Sequence, residues 1–461
     1  MADSEAGSNR LDEHGGRVTG QIWKWTVLAG MASYIDAGSI VALGVGLAFW
    51  QEYLGLSDSL VGTLAAIGPN ALGAAIGAFI GGRLGDLLGR KRIYQYDLLV
   101  YALGVAIIAL SVNTPMLFIG TVIVGIAVGA DVPTSLALVG EFSPDGARGK
   151  LLGLTQIAWS MGPIVVFVLA FLLAPLELFG IRLVFAHLFV VAIVTWALRR
   201  GMVESARWAA ATGAADVERS SDPSAQPEEA PVPGNPLSGS RLVLLFSGPN
   251  LAALIWTATI YIFWGLAAGT YGIFLPYILR TLGAQSQAAS VAMSCLGFVL
   301  TAAACIFIFM PFSDRSHGAR RLIWGVGAIM QVTAFALLLI FPFTVPVAIA
   351  NITLFGIGAA LAGEPFYKTW SQELFPTLLR GTAQGITFGT ARVVLGIWSF
   401  FVPVLAGVGI RPVALMLTIF LAISGAVGFL FLPNTAGKSL EEIEAERGVL
   451  DQDAVRTATI S

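Results

Sequence analysis

The chain has few charged, sulfur-containing or imidazole side chains for its length. Asp, Glu, Lys and Arg make up only 12% of its 461 residues, and it holds two cysteines and three histidines. Cys295 and Cys305 share one apolar stretch, which excludes a disulfide framework and predicts packing roles. No group of residues has metal-ligand spacing, and no phosphate-binding Gly-x-x-x-x-Gly-Lys-Ser/Thr string occurs. We therefore expect no metal site, no ATP-driven step and no enzymatic activity.

Apolar residues dominate the sequence instead. Hydrophobic side chains account for 56% of the chain, more than a soluble domain of this size could bury. Windows of about 19 residues predict an all-α membrane protein with twelve transmembrane helices. These helices are predicted near 25–48, 59–80, 95–112, 115–140, 151–173, 181–199, 250–279, 288–312, 322–341, 345–369, 382–408 and 412–432. The formal charge of -2 gives no indication of a nucleic-acid partner.

One long polar stretch interrupts the apolar pattern, between the sixth and seventh predicted helices. It covers 203–247 and is rich in Pro, Ser, Asp and Glu, a composition that cannot bury a core and predicts a mostly disordered linker. The polar N-terminus lacks the features of a cleaved signal peptide, so we expect the first helix to be retained. The predicted organisation is a tail over 1–22, a six-helix bundle over 23–202, the linker over 203–247, a second bundle over 248–433 and a tail over 434–461.

The basic residues are distributed unevenly between the two sets of loops. One set carries Arg83, Arg90, Lys91, Arg92, Arg148, Lys150, Arg199, Arg200, Arg207, Arg315, Arg320 and Arg321, whereas the other carries Arg182, Arg280 and Arg411. Because positive charge is retained on the cytoplasmic side, this asymmetry places both termini and the linker in the cytoplasm. We expect a multi-pass protein of the plasma membrane or the bacterial inner membrane.

A nine-residue pattern occurs twice, each time at the end of a long apolar segment. The copies are Glu141-Phe-Ser-Pro-Asp-Gly-Ala-Arg148-Gly and Glu373-Leu-Phe-Pro-Thr-Leu-Leu-Arg380-Gly. A sequence repeated in this way predicts two related membrane halves. Two such halves around a central site are typical of secondary transporters.

Further strings give the sequence a family resemblance. Gly-Gly-Arg-Leu-Gly-Asp86-Leu-Leu-Gly-Arg90-Lys-Arg, and a degenerate copy over 312–321, resemble the signature of the major facilitator superfamily. The strings over 203–208 and 433–443 resemble those of its sugar-porter and metabolite:proton symporter branch. The resemblance implies two pseudo-symmetric six-helix halves and a cytoplasmic gate of salt bridges. By that resemblance the gate residues are Asp86, Arg90, Glu141, Arg148, Asp314, Glu373 and Arg380.

Five ionisable residues lie within the predicted spans, where a charge is tolerated only beside a partner or a cavity. They are Asp36, Asp131, Glu364, Lys368 and Arg392. The segment around Asp36 is similar to the one that carries the protonation site in proton-linked sugar porters. Asp36 is accordingly the first candidate for proton coupling and Asp131 the second, with a proton gradient as the energy source and no cofactor. The alternative is that the Asp36 carboxylate caps a broken helix or pairs permanently with Arg392.

The sequence departs from true sugar porters at several substrate positions. An Arg of that branch corresponds to Thr121, and two pocket tryptophans correspond to Lys368 and Arg392, although Gln156 is retained. One hypothesis is that Arg392 or Lys368 binds a small carboxylate, because a guanidinium suits bidentate capture. The other is that the charges, including Asp131, neutralise one another and leave a neutral polyol such as an inositol. The candidate substrate-binding residues are Tyr34, Gln156, Tyr271, Glu364, Tyr367, Lys368 and Arg392.

Three classes of function share these features. We expect proton-coupled uptake of a small polar metabolite, with the substrate, protons and the lipid bilayer as partners and no obligatory protein partner. A proton-driven exporter is the first alternative, although the segment around Pro163 matches only the centre of the exporter signature. A non-transporting receptor on the same scaffold is the second alternative.

Overall fold

A computed structural model describes residues 18–202, 204–212, 239–281 and 287–447, and these ranges are helical throughout, joined by short turns. The first half contains seven helices. They are α1 (Gly20–Leu54), α2 (Asp58–Ile67), α3 (Leu72–Leu88), α4 (Arg90–Ala109), α5 (Thr114–Phe142), α6 (Arg148–Leu172) and α7 (Glu177–Arg199). Two short helices follow, α8 (Ala206–Thr212) and α9 (Gly239–Leu245).

The second half repeats the pattern. Its helices are α10 (Gly248–Thr281), α11 (Gln287–Ala304), α12 (His317–Ile340), α13 (Val345–Leu361), α14 (Glu364–Glu373), α15 (Arg380–Val408) and α16 (Ile410–Leu430). Helix α11 continues through a π-helical turn, Cys305–Phe309, to Phe312. A short C-terminal helix, α17 (Leu440–Glu446), begins at a capping box formed by Ser439 and Glu442.

The predicted transmembrane helices are confirmed. In the described ranges, eleven helical segments are long and apolar enough to cross a bilayer, and α15 supplies the twelfth predicted segment. Two predicted spans are each built from a broken pair, α2 with α3 and α13 with α14. Broken helices expose backbone and polar side chains at membrane depth, which is tolerated where they line a cavity.

The two halves meet along two pairs of helices. Helix α3 packs against α15, and α6 packs against α11 and its π-helical turn. Glycine allows the first contact, because a Cβ on Gly82 would overlap the carbonyl oxygen of Gly381, and one on Gly385 would overlap that of Ala78. Small residues of this kind let transmembrane backbones approach closely. Both cysteines are free, and the buried Cys305 thiol donates to the carbonyl of Gly153 at 3.3 Å across this interface.

Two short helices, α8 and α9, lie within the predicted linker. Helix α8 is tied to the first half by the indole N–H of Trp208, which donates to the carbonyl of Asp86 at 2.9 Å. Glu204 lies just before it and accepts from the backbone N–H groups of Arg90 and Lys91. The rest of the predicted disordered segment, 213–238, lies outside the described residues, as do 1–17 and 448–461 of the predicted tails.

Candidate functional site

The two copies of the repeated motif meet at one end of the bundle. Arg380 Nη1 lies 3.2 Å from Glu141 Oε1, and the same carboxylate oxygen accepts from Arg90 Nη2 at 2.9 Å. Arg90 also pairs with Asp86 at 2.9 Å. All four side chains are buried. Glu141 therefore joins a helix of the first half to one of the second.

The other copy forms the reciprocal pair. Arg148 Nη1 lies 3.6 Å from Glu373 Oε1, and Glu373 also accepts two hydrogen bonds from Arg320, at 2.7 and 3.0 Å. Arg320 reaches Asp314 at 3.3 Å, as Arg90 reaches Asp86. The sequence interpretation used Arg320 only for orientation and missed this role. Its place at the end of the degenerate signature copy is the signal that identifies it as the counterpart of Arg90.

The two aspartates of this network lie opposite helix N-termini of the other half. Asp86 accepts from the backbone N–H groups of Gly381 and Thr382 at 3.1 and 2.6 Å, at the start of α15. Asp314 accepts from those of Gly149 and Lys150 at 2.9 and 2.8 Å, at the start of α6. Free N–H groups and the helix dipole both favour a carboxylate there. Burial raises the pKa of Asp314, while Arg320 and the two N–H donors oppose that rise.

All seven predicted gate residues thus lie with Arg320 at one end of the bundle, in two sets of ion pairs that are here together called the charge network. Both sets connect the halves, at the end of the bundle that is predicted to be cytoplasmic. The second signature copy is degenerate in sequence, yet Asp314 makes the same kind of contact as Asp86.

A second polar region lies between the halves, deeper in the bundle. A cavity of about 60 Å³ is lined by side chains from both halves. Its polar and aromatic lining consists of Asn70, Trp159, Tyr261, Trp264, Phe298, Glu364 and Arg392. Asn70 lies in the break between α2 and α3, and Glu364 begins α14 after the break that follows α13. We call this space the central cavity.

Arg392 crosses the central cavity from the second half to the first. Its Nη2 lies 3.2 Å from Asp36 Oδ2, and its Nη1 donates to Asn70 Oδ1 at 3.0 Å. Asp36 is almost completely buried behind this guanidinium, and its Oδ1 has no hydrogen-bond partner among the described residues. Asp36 and Arg392 are thus paired in this structure, and the permanence of the pair stays a prediction.

A second charged pair lies beside the first. Lys368 Nζ is 3.6 Å from Glu364 Oε1, one turn earlier on α14, and donates to Gln156 Oε1 of the first half at 3.0 Å. Two carboxylates, Asp36 and Glu364, thus face two cations, Lys368 and Arg392. The charges of this region balance when all four groups are ionised.

Aromatic rings form the remaining wall. Tyr261 lines the central cavity and stacks on Tyr367, with ring centroids 3.7 Å apart and planes inclined by 10°. The hydroxyl of Tyr367 bonds Thr387 at 2.7 Å. The indole N–H of Trp264 donates to Gln331 at 3.0 Å, which fixes the orientation of that ring. The sequence interpretation included Tyr367 but missed Tyr261. Its position as an aromatic residue within the seventh predicted span could have identified it.

Three predicted site residues lie elsewhere, which corrects the predicted site. Asp131 is paired with Arg199 at 3.1 Å inside the first half, so it does not neutralise Arg392 or Lys368. The hydroxyl of Tyr34 bonds His187 at 3.0 Å, between α1 and α7.

Tyr271 is the third displaced residue. It packs against Phe335 and Phe355 in a separate apolar space of the second half. In each case the side chain contacts a neighbouring helix of its own half.

Comparison with known proteins identifies the family. The model of the family described as "Sugar (and other) transporter" matches residues 48–446. The chain belongs to this family. It is 38% identical over 440 residues to the minor myo-inositol transporter IolF of Bacillus subtilis (strain 168), covering 95% of this chain and 97% of that protein. It is 27% identical over 395 residues to the glucose transporter GlcP of Staphylococcus epidermidis, covering 81% and 86%.

Solved structures agree on the fold of this transporter family member. The proton:xylose symporter XylE bound to 6-bromo-6-deoxy-D-glucose superposes with a TM-score of 0.76 at 19% identity, over 92% of this chain and 98% of that chain. The human organic anion transporter MFSD10 superposes with a TM-score of 0.68 at 15% identity, over 89% and 100%. The transporter therefore has the major facilitator fold, with twelve membrane-spanning segments, some of them broken, in two halves. It is a multi-pass membrane protein that moves a small molecule, and it is not an enzyme.

Proposed function

We propose that this protein is a proton-coupled importer of a neutral polyol of the inositol class. It uses the proton gradient as its energy source, without a bound cofactor or an obligatory protein partner. We place it in the plasma membrane or the bacterial inner membrane with both termini in the cytoplasm. The observation that carries the proposal is the charge balance of the central cavity, where Asp36 and Glu364 face Arg392 and Lys368.

A neutral substrate fits this balance better than a carboxylate. Arg392 already donates to Asp36 and Asn70, and Lys368 donates to Gln156. A carboxylate ligand would have to displace one of these partners and leave a buried carboxylate or amide unpaired, which is costly. Hydroxyl groups both donate and accept, so a polyol can bridge charged and amide groups without changing the net charge. The 38% identity to a myo-inositol transporter supports the same substrate class.

Asp36 is the group we assign to the proton. It is buried, its only salt-bridge partner described is Arg392, and one of its oxygens lacks a hydrogen bond. Protonation would remove the charge that holds Arg392 across the cavity. The two halves would then be freer to separate at this level, so proton binding and substrate binding act on the same contact. Asp131, the second candidate, lies too deep within the first half to act on this contact.

The charge network supplies the second element of alternating access. Its pairs of Glu141 with Arg380 and Arg148 with Glu373 connect the halves at the predicted cytoplasmic end, and we assign it the role of the cytoplasmic gate. Release of the substrate to the cytoplasm requires these pairs to separate. Two sets of contacts, one in the cavity and one at the charged end, thus hold the halves together in this state.

Counterflow in proteoliposomes tests the substrate class. Vesicles loaded with unlabelled compound and diluted into labelled compound report exchange without a gradient. We expect counterflow with myo-inositol and related cyclic polyols and none with small mono- or dicarboxylates. Counterflow of carboxylates with polyols inert would overturn the proposal in favour of capture by Arg392 or Lys368.

A further inference from the structure

A group of ionisable side chains lies inside the first half, away from the central cavity. Asp97 on α4, Asp131 on α5 and Arg199 at the end of α7 meet there, and we call them the buried cluster. Their side chains are 3%, 5% and 0% exposed. Two carboxylates share one guanidinium, so full ionisation would leave a net negative charge in the membrane-embedded interior. An uncompensated buried charge is strongly unfavourable.

The hydrogen bonds of Arg199 do not satisfy both carboxylates equally. Its Nη1 donates to both oxygens of Asp131, at 3.1 and 3.3 Å. Its other bonds go to the backbone carbonyls of Leu28 and Tyr94. Asp97 Oδ1 lies 3.6 Å from the guanidinium, beyond hydrogen-bond distance. The hydroxyl of Ser135 also donates to Asp131. Asp131 therefore has more hydrogen-bond donors to stabilise a negative charge than Asp97 has.

Asp97 has one oxygen with a donor and one without. Its Oδ1 accepts from the backbone N–H of Leu98 at 2.6 Å, whereas its buried Oδ2 has no hydrogen-bond partner among the described residues. Asp97 Oδ1 and Asp131 Oδ2 approach the same nitrogen, Arg199 Nη1, at 3.6 and 3.1 Å. Two carboxylates that share one site disfavour simultaneous ionisation, so one of them retains a proton. The unpartnered oxygen of Asp97 is where such a proton would lie.

We infer that the buried cluster holds one resident proton, carried by Asp97 Oδ2. With this proton the cluster is neutral, because the charge of Asp131 is matched by that of Arg199. The ionisable groups that face it within the described ranges are Tyr94 of α4, Asp131 of α5 and Arg199 of α7, and α1 contributes the carbonyl of Leu28. The proton thereby neutralises the charged contact at which α1, α4, α5 and α7 of the first half meet.

The resident proton is distinct from the transported one. Asp36 faces Arg392 between the halves, whereas all partners of the buried cluster within the described ranges belong to the first half. Its two carboxylates lie on the helices that carry Arg90 and Glu141, two of the charge-network residues. The cluster therefore keeps α4 and α5 in register as the first half moves, without exchanging its proton during each transport cycle.

Infrared spectroscopy of the purified full-length protein tests the inference directly. With the aspartate carboxyls labelled with ¹³C, a protonated carboxyl is recognised by its shifted C=O stretch at neutral pH. We expect this component in the wild type and its loss in Asp97→Asn, whose amide keeps the shape and the neutral charge of the protonated carboxyl. Asp131→Asn should also lose it, because Asp97 then becomes the ionised partner of Arg199. Asp86→Asn, which removes a carboxylate bonded by backbone N–H groups, should retain it.

The stability of the protein provides a second readout. If the folded protein holds one proton that it releases on unfolding, a rise in pH favours the unfolded state. The equilibrium constant for unfolding then increases about tenfold per pH unit between about pH 6 and 8. Asp97→Asn should reduce this dependence by one proton in detergent-solubilised protein. If Asp97→Asn leaves both the protonated-carboxyl infrared component and the pH dependence of unfolding unchanged, the inference is overturned. Loss of gradient-driven accumulation with intact counterflow in Asp97→Asn would show that the proton is transported, and would overturn its resident character.

Discussion

Glu141 and Arg380 belong to different copies of the repeated motif and form a salt bridge of 3.2 Å between the two halves of the protein. Both side chains are completely buried, so water does not screen the contact. The reciprocal pair, Arg148 with Glu373, is longer at 3.6 Å. The repeat in the sequence is thus the source of a two-fold related set of cross-half contacts.

We predict that Glu141→Gln opens the charged end. The amide keeps the shape of the carboxylate but leaves Arg380 and Arg90 without a shared counter-charge. Maleimide labelling of Ser143→Cys, a buried position beside the network, measures the opening in a background without native cysteines. We expect labelling to be about tenfold faster, which corresponds to ~1.4 kcal/mol lost from the closed state.

A matched control is available near the C-terminus. Lys438 and Glu446 form an ion pair of 2.6 Å, but both side chains are substantially exposed. Exposed pairs contribute little, so Glu446→Gln should label at the wild-type rate. Equal labelling rates for Glu141→Gln and Glu446→Gln would show that the Glu141 contact does not keep this end closed.

The residues of the charge network could be predicted from the sequence because they lie in repeated strings. The membrane spans could be predicted because a long apolar segment has few structural alternatives to a transmembrane helix. The contacts of individual side chains within the spans could not be predicted in this way. Asp131, Tyr34 and Tyr271 were assigned to the cavity, yet each faces a helix of its own half. Neighbouring helix positions point about 100° apart, so the facing of a single residue depends on packing that hydropathy does not report. Arg199 was counted only as a basic residue at the end of a span.

We predict that Asp36→Asn abolishes accumulation but not exchange. A membrane potential of about 100 mV is worth ~2.3 kcal/mol per proton, which corresponds to roughly 50-fold accumulation of a neutral substrate. Asparagine still accepts from Arg392 but cannot carry the proton. Labelled polyol should therefore equilibrate across the vesicle membrane while counterflow continues. Accumulation at the wild-type level would remove Asp36 from the coupling mechanism.

Arg392→Lys should weaken coupling although it keeps the charge. The guanidinium uses two nitrogens to reach Asp36 and Asn70, at 3.2 and 3.0 Å. A single ammonium lacks this fork geometry, and a hydrogen bond to a charged group contributes about 1.5–3 kcal/mol. We expect at least a tenfold loss of proton-driven uptake and a shifted pH profile. Arg182 donates to the carbonyl of Ser111 outside the cavity. As a control, Arg182→Lys should leave the pH profile of uptake unchanged.

The balance between Glu364 and Lys368 can be measured by a double-mutant cycle. Lys368→Met leaves the buried Glu364 carboxylate without its cation, and breaking a buried pair in this way costs about 3–5 kcal/mol. We expect a marked fall in Tm in detergent. Glu364→Gln combined with Lys368→Met removes both charges and should recover most of the loss. If the two substitutions are simply additive, the pair is not coupled and the charge-balance argument for a neutral substrate fails.

Gly82 packs closely against Gly381, and we predict that a larger residue at position 82 destabilises the closed state. A Cβ at position 82 would overlap the carbonyl oxygen of Gly381, which belongs to the backbone and cannot rotate away. Overpacking of this kind costs about 1–3 kcal/mol. The cost is paid only while α3 and α15 are in contact, so Gly82→Ala should shift the population towards the state open at the charged end. Gly62→Ala, where a Cβ meets nothing within 4 Å, is the control. Faster labelling of Ser143→Cys in Gly82→Ala alone supports this interface as the surface that separates, and equal labelling in both variants would place the opening elsewhere.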